Sequence, residues 1–112
     1  MASSESKPDP MVNLLADGHI EEFNRRRRSG ESCDLRGADL RHAGLHGLEA
    51  AGLDMRDCRL HQADLRGIDL RQTRLEGASI AGAKISGSYF PEELSAEEIN
   101  LSLQHGTRFR YR

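Results

Sequence analysis

Two groups of arginines hold most of the recognition chemistry in this sequence: the run Arg25, Arg26, Arg27 and Arg28, and the C-terminal "RFRYR", where Arg108, Arg110 and Arg112 alternate with Phe109 and Tyr111. Together they could form a phosphate-binding patch, or an anchor for an acidic partner, since arginines and aromatics are typical of interfaces. The first run also ends a predicted helix, where cations meet the negative end of the dipole. Two cysteines, Cys33 and Cys58, have neither CxxC spacing nor the density of a secreted disulfide scaffold, so both are read as reduced. His42, His46 and His61 lack the cysteine or carboxylate that would complete a closed metal set, so no metal or other cofactor is expected.

The elements that must position these groups are small. A chain of 112 residues makes one domain with a limited core. Its net charge of -2 shows no electrostatic preference for nucleic acid. The N-terminal "MASSESKPDP" has no apolar h-region, and no run of about 18 apolar residues offers a membrane span, so the cytoplasm is the default location.

A period of five organises the middle of the chain. Stepping from Leu35, the positions Leu40, Leu45, Ala50, Met55, Leu60, Leu65, Leu70, Leu75, Ile80, Ile85 and Phe90 are all apolar. Two residues before each anchor stand uncharged, mostly small residues such as Ala38, Ala43, Ala63, Ala78 and Ala83. Neither the helical period of 3.6 nor the strand period of two produces this pattern.

The segments "ADLRG", "ADLRH" and "ASIAG" resemble pentapeptide repeats, with departures at Leu48 to Ala50, Leu53 to Met55, Cys58 and Ile68. The resemblance covers residues 33–90. It implies an all-β solenoid, a right-handed quadrilateral β-helix of about three coils, with each pentapeptide forming one side. Residues twenty apart then stack: Leu40 on Leu60 on Ile80, and Leu45 on Leu65 on Ile85. Leu48 and Ala50 exchange the large and small positions, which keeps volume roughly constant. Outward columns bring Asp39 near Arg59, Asp54 near Arg74 and Asp64 near Lys84.

An open coil exposes backbone at both ends, so caps are expected. Residues 1–10 read as disordered, 11–30 as a helical cap of two short helices, 31–91 as the repeats, and 92–112 as a capping helix with a basic-aromatic arm. Ser95 and Glu98 form a capping box, Leu94 and Ile99 a staple, and a helix runs from about Ala96 to Gln104 with Ala96, Ile99 and Leu103 as its apolar face. Gly106 stops it. The arm "TRFRYR" has strand alternation, and the core is not expected to need it, so its deletion should leave the repeats intact.

Within such a tube only Cys33, Cys58, Thr73 and Ser88 among chemically capable side chains point inward, and a buried cysteine lacks the base and access a nucleophile requires. The chain is therefore expected not to be an enzyme. The favoured function is a bacterial cytoplasmic protein–protein interaction module. Its partner surfaces are Arg25, Arg26, Arg27 and Arg28, the ribbon at residues 43–52, and the arm Arg108, Phe109, Arg110, Tyr111 and Arg112. The partner is another protein or a second copy in a homo-oligomer. Two alternatives follow. A DNA mimic acting on a topoisomerase such as gyrase is suggested by the resemblance, and nucleic-acid binding by the basic ends. Residues 33–90 carry eight acidic and eight basic groups, and a neutral surface is a poor mimic of DNA.

Overall fold

The computed structural model describes residues 9–112. Each five-residue step ends in a tight turn in which the anchor's carbonyl accepts the N–H three residues on: Ala38 to Leu35 at 3.1 Å, Ala63 to Leu60 at 3.0 Å, Ala83 to Ile80 at 2.9 Å. Two residues after most anchors the backbone takes a positive φ, as at Gly37 (70°) and Gly67 (74°). That conformation favours glycine and explains its recurrence at this position. His42, Asp57 and Gln62 adopt it at 65°, 63° and 60° despite their side chains.

After every fourth turn the chain returns above itself. Parallel bridges join Asp39 to Arg59, Gly44 to Asp64, Asp54 to Arg74, Arg59 to Ser79, Asp64 to Lys84 and Asp69 to Tyr89. These contacts define three stacked layers anchored from Leu35, Met55 and Leu75. Among the described residues, however, there is no β-strand, sheet or barrel, only isolated bridges and three short helices. This corrects the expected all-β solenoid and quadrilateral β-helix. The physical reason is the turn: it interrupts the extended backbone so soon that each pairing stays one residue long and never extends into a ladder.

The interior follows the period. Leu35, Leu40, Leu45, Met55, Leu60, Leu65, Leu70, Leu75 and Ile80 are buried, whereas Ile85 and Phe90, at the last layer, are half-buried. Leu48 and Ala50 are both buried, so the exchanged pair fills the same space in reverse order. Of the four small positions with a polar atom, Cys33 lies in the first layer with no layer beneath it, and the other three each donate to an anchor carbonyl 23 residues earlier: Cys58 Sγ to Leu35 O (2.9 Å), Thr73 Oγ1 to Ala50 O (2.8 Å), and Ser88 Oγ to Leu65 O. The inward groups with chemical capability at those three positions are thus committed to the backbone.

The charges pair differently from expectation. Aspartate columns do stack on Arg59, Arg74 and Lys84, but the close ion pairs lie within the tripeptides Asp-Leu-Arg and, at residues 54–56, Asp-Met-Arg: Asp39–Arg41 at 2.8 Å, Asp54–Arg56 and Asp64–Arg66 at 2.7 Å, Asp69–Arg71 at 2.8 Å. Each carboxylate also accepts the backbone N–H of its arginine, at 3.2 Å for Arg41 and 3.0 Å for Arg71. The side chain one residue before the anchor therefore braces the turn one residue after it. Of the cross-layer pairs, Asp39–Arg59 is longer, at 4.0 Å. Hydrogen bonds from Arg41 and Arg71 hold Asp39 and Asp69 down at about 2, and the same fork lowers Asp54 and Asp64.

Helix α1 (Pro10–Ala16) and helix α2 (Ile20–Arg28) lie against the first layer, with Met11, Leu15 and Phe23 fully buried. Asp9 is the N-cap of α1, so Asp9 and Pro10 belong to the helical segment and not to the expected disordered stretch. The rest of that expectation, residues 1–8, lies outside the described residues. Helix α3 (Ala96–His105) closes the last layer, and Gly106 ends it with φ 74°.

Substituting axial Leu65 by Lys places a charge where no partner exists, and should cost more than about 4 kcal/mol, unfolding the chain. Arg66→Ala, at an exposed fork, should barely move the urea midpoint; equal effects would contradict the stacked interior. The aspartates add an acid signature. Their folded pKa is depressed below the unfolded value of about 3.9, so their stabilisation is complete above that pH and disappears as pH falls through the folded value near 2. Urea unfolding of wild type should weaken over that window more than that of the Asp39→Asn/Asp69→Asn variant, and parallel pH curves would show that the forks contribute nothing.

Candidate interaction surfaces

The first layer has no layer beneath it, and polar side chains from the N-terminal cap take that role. Asn24, buried on α2, donates through Nδ2 to Gly47 O (3.0 Å) and accepts from the Glu49 N–H (3.1 Å). Asp9 caps α1 through Oδ1 and uses Oδ2 to accept from the Asp34 N–H at 2.8 Å. The four arginines that end α2 divide their contacts. Arg25 and Arg26 pair with Glu22, Arg26 at 2.9 Å. Their hydrogen bonds hold the Glu22 carboxyl below its ordinary value. Arg28 pairs with Glu49 at 2.6 Å, and Arg27 reaches the Glu49 carbonyl at 3.4 Å.

Between α2 and the layers lies an open cleft of about 450 Å³, lined by Arg27, Arg28 and residues 48–51, with Asp69 and Gln72 on its far wall. The structure thus brings the arginine run together with the C-terminal half of the ribbon 43–52. It places Arg108, Arg110 and Arg112 elsewhere, on the last layers.

The arm folds back on its own chain. The Phe109 N–H donates to Ala78 O (2.8 Å) and its carbonyl accepts from Gly77 (2.9 Å), while the Leu75 N–H donates to the Tyr111 hydroxyl (2.9 Å) and the Arg112 N–H to Glu93 O (3.0 Å). Phe109 is buried and meets Phe90 edge to face, with ring centroids 6.3 Å apart. The alternation of buried aromatic and exposed arginine is present without a strand. Arg108 holds Asp57 and the Gly77 carbonyl, Arg110 pairs with Glu98 at 3.3 Å, and Arg112 donates to Glu92 O at 2.6 Å. The arm is therefore part of the cap, which corrects the expectation that α3 covers the last layer without it.

Helix α3 also departs from its expected face. Ser95 caps it by accepting the Glu98 N–H at 3.1 Å, but the Glu98 carboxylate turns to Arg110 and does not close the box. The buried residues are Glu98 and Ser102, while Ala96 is exposed and Ile99 and Leu103 are half-buried. Ser102 Oγ accepts the Ile80 N–H at 3.0 Å and the Leu103 carbonyl accepts from Gly82 at 2.9 Å. Sequence reasoning missed Asn24 and Ser102, and assigned Glu98 to the capping box, because it looked for apolar capping faces. The available signal was a polar residue on the inner face of each helix, opposite backbone that had to be satisfied.

The remaining chemical candidates are dispersed. Cys58 is buried with its thiol on the Leu35 carbonyl, and burial pushes the half-buried Cys33 thiol upward. His61 Nε2 lies 2.7 Å from Ser79 Oγ, and His46 Nδ1 lies 3.1 Å from Arg66 O. Among the described residues no three of His, Cys, Asp or Glu gather closely enough to hold a metal ion. No helix there is long and apolar enough to cross a membrane.

Because Phe109 fills the cap, Phe109→Ala should cost about 3–5 kcal/mol, and deleting residues 107–112 should lower the urea midpoint at least as much. An unchanged midpoint for the truncated chain would return the arm to a dispensable role.

Comparison with known proteins agrees with the five-residue turns. A family model for pentapeptide repeats matches residues 54–90 in eight copies. No curated protein and no solved structure matches the chain. The match begins after the segment in which Leu48 and Ala50 exchange large and small positions, although the apolar register already runs from Leu35. The repeated turn, the twenty-residue return and this match agree that residues 54–90 are a run of pentapeptide repeats.

Proposed function

We propose that the chain is a non-enzymatic interaction module of the cytoplasm that binds another protein through the cleft between α2 and the layers. One observation carries this reading: the interior is filled, with its small-position hydroxyls and the Cys58 thiol bonded to carbonyls, while an open cleft on the outside gathers Arg27, Arg28, Ala51, Asp69 and Gln72. The small Ala51 admits close approach at the cleft mouth. The exposed side chain of Arg28, 61% accessible, supplies a charged rim, with that of Arg25 beyond it on α2. Arg108 and Arg110 form a second, separate rim on the arm. A chain with only two cysteines, far from the density of a disulfide scaffold, suits a reducing compartment.

The acidic groups argue against imitation of DNA. Asp39, Asp54, Asp64 and Asp69 each face an arginine two residues away, so their charge is neutralised where it arises and no continuous negative field forms. The chain should leave gyrase supercoiling unaffected; dose-dependent inhibition would favour the DNA-mimic alternative. Affinity capture with immobilised protein, followed by identification of what is retained, should give a protein lost on the variant Arg27→Glu/Ala51→Arg with unchanged circular dichroism. A retained set that ignores both substitutions would sink the cleft reading.

A further inference from the structure

The cap over the last layer is incomplete, and its incompleteness has a regular pattern. Six of the eight anchors in the two lower layers donate the N–H upward, among them Leu40 to Arg59 O, Leu65 to Lys84 O and Met55 to Arg74 O, at 2.8 to 2.9 Å. In the last layer the C-terminal segment fills these positions on two sides. Leu75 finds the Tyr111 hydroxyl, Gly77 the Phe109 carbonyl, Ile80 the Ser102 hydroxyl and Gly82 the Leu103 carbonyl. On the next side the series stops. Among the described residues, the N–H groups of Ile85 and Gly87 and the carbonyl of Ala83 have no protein partner. Ile85 beside them is only half-buried, as are Ile99 and Leu103 of α3.

We propose that residues 83–87 form a docking edge for an extended acidic–aliphatic segment of a partner protein. The layer below shows what such a segment would do. There Lys84 donates its N–H to Ala63 O (3.0 Å) and accepts from Leu65 (2.9 Å), Ser86 accepts from Gly67 (3.0 Å), and the side chain of Ile85 between them turns toward the axis. A visiting segment in the same register meets Ala83 O, the Ile85 N–H and the Gly87 N–H with three residues. Its middle side chain covers Ile85 and is therefore aliphatic. Its first side chain stands over Lys84, which is exposed and itself stacks on Asp64. Continuing that alternation of sign calls for an acidic residue. The arm supplies an example on the neighbouring side, since Phe109 exchanges both of its backbone bonds with Gly77 and Ala78. Addition of a strand to an open edge is a general mode of peptide recognition, with backbone bonds giving affinity and alternate side chains giving selectivity.

This proposal deepens the interaction-module reading and rests on it, but it uses a different surface from the α2 cleft, so the two can fail separately. The probe is a capped hexapeptide copying residues 62–67, Gln-Ala-Asp-Leu-Arg-Gly, titrated into the 15N-labelled full chain. The Ile85 and Gly87 amide signals should shift and saturate. Lys84→Glu should weaken binding up to about fivefold. N-methylation of the peptide's aspartate amide, which removes the donor meant for Ala83 O while leaving the protein untouched, should abolish it. Amides that stay still up to about 1 mM peptide, or shifts confined to another face, would overturn the edge. So would shifts of Ile85 and Gly87 that follow protein concentration alone with a doubled mass in light scattering, because a second copy would then own the surface. Loss of the edge with capture through the α2 cleft preserved would leave the broader interaction reading standing.

Discussion

Backbone hydrogen bonding at the ends of the stack is the constraint on which the rest of this structure depends. Turning every five residues leaves each layer with both N–H groups and carbonyls directed to the layer above and to the layer below. Inner layers satisfy one another, but the first and last cannot, and buried backbone groups left unpaired cost about as much as a lost hydrogen bond. The caps are consequently polar where a helix packed on an ordinary core would be apolar. Asn24 gives both an acceptor and a donor to the first layer, and Ser102 gives an acceptor to the last. The sequence thus spends helix positions of good apolar potential on side chains that imitate a missing turn of chain.

The Asp-Leu-Arg tripeptide, Asp-Met-Arg at residues 54–56, solves a smaller version of the same problem. Between the bridged residue and the corner, the backbone N–H of the arginine points outward with no layer to receive it, and the aspartate two residues earlier accepts it. The arginine side chain then closes over the same carboxylate in a fork. Charge is balanced inside each tripeptide, so the surface is electrically quiet even though 30% of the chain is charged. Recognition by a protein with such a surface must come from shape, exposed backbone and local rims.

Much of this was legible in the sequence. The apolar anchors from Leu35 to Phe90 and the small positions two residues before them fix the five-residue turn, because volume leaves few choices in a filled interior. The exchange of Leu48 and Ala50 could be read for the same reason. The absence of strands could not, since the chain pairs like a strand at one residue and turns at the next, and pattern alone does not reveal how long a pairing runs. Two further errors share one origin. Alternation correctly separated Phe109 and Tyr111 from their arginines, and the box motif correctly found Ser95, but neither says what lies opposite. Glu98 had a choice between its own helix end and Arg110, and the packing of the arm decided it.

The small positions show how far volume governs this chain and where polarity enters. Ala38, Ala63 and Ala78 fit beneath the turns, yet Cys58, Thr73 and Ser88 occupy equivalent places without leaving an unpaired group. They can do so because an anchor carbonyl, already holding its turn, retains a second lone pair toward the layer above. Cys58 Sγ takes that of Leu35, and Thr73 Oγ1 that of Ala50. The position therefore takes small residues and, at Leu48, Leu53 and Ile68, aliphatic ones, and a polar atom there must be able to donate; a carboxylate fails because it cannot. A cysteine found here signals space and a free lone pair, which is why Cys58 is buried and engaged while Cys33, at the edge of the first layer, is only half-covered.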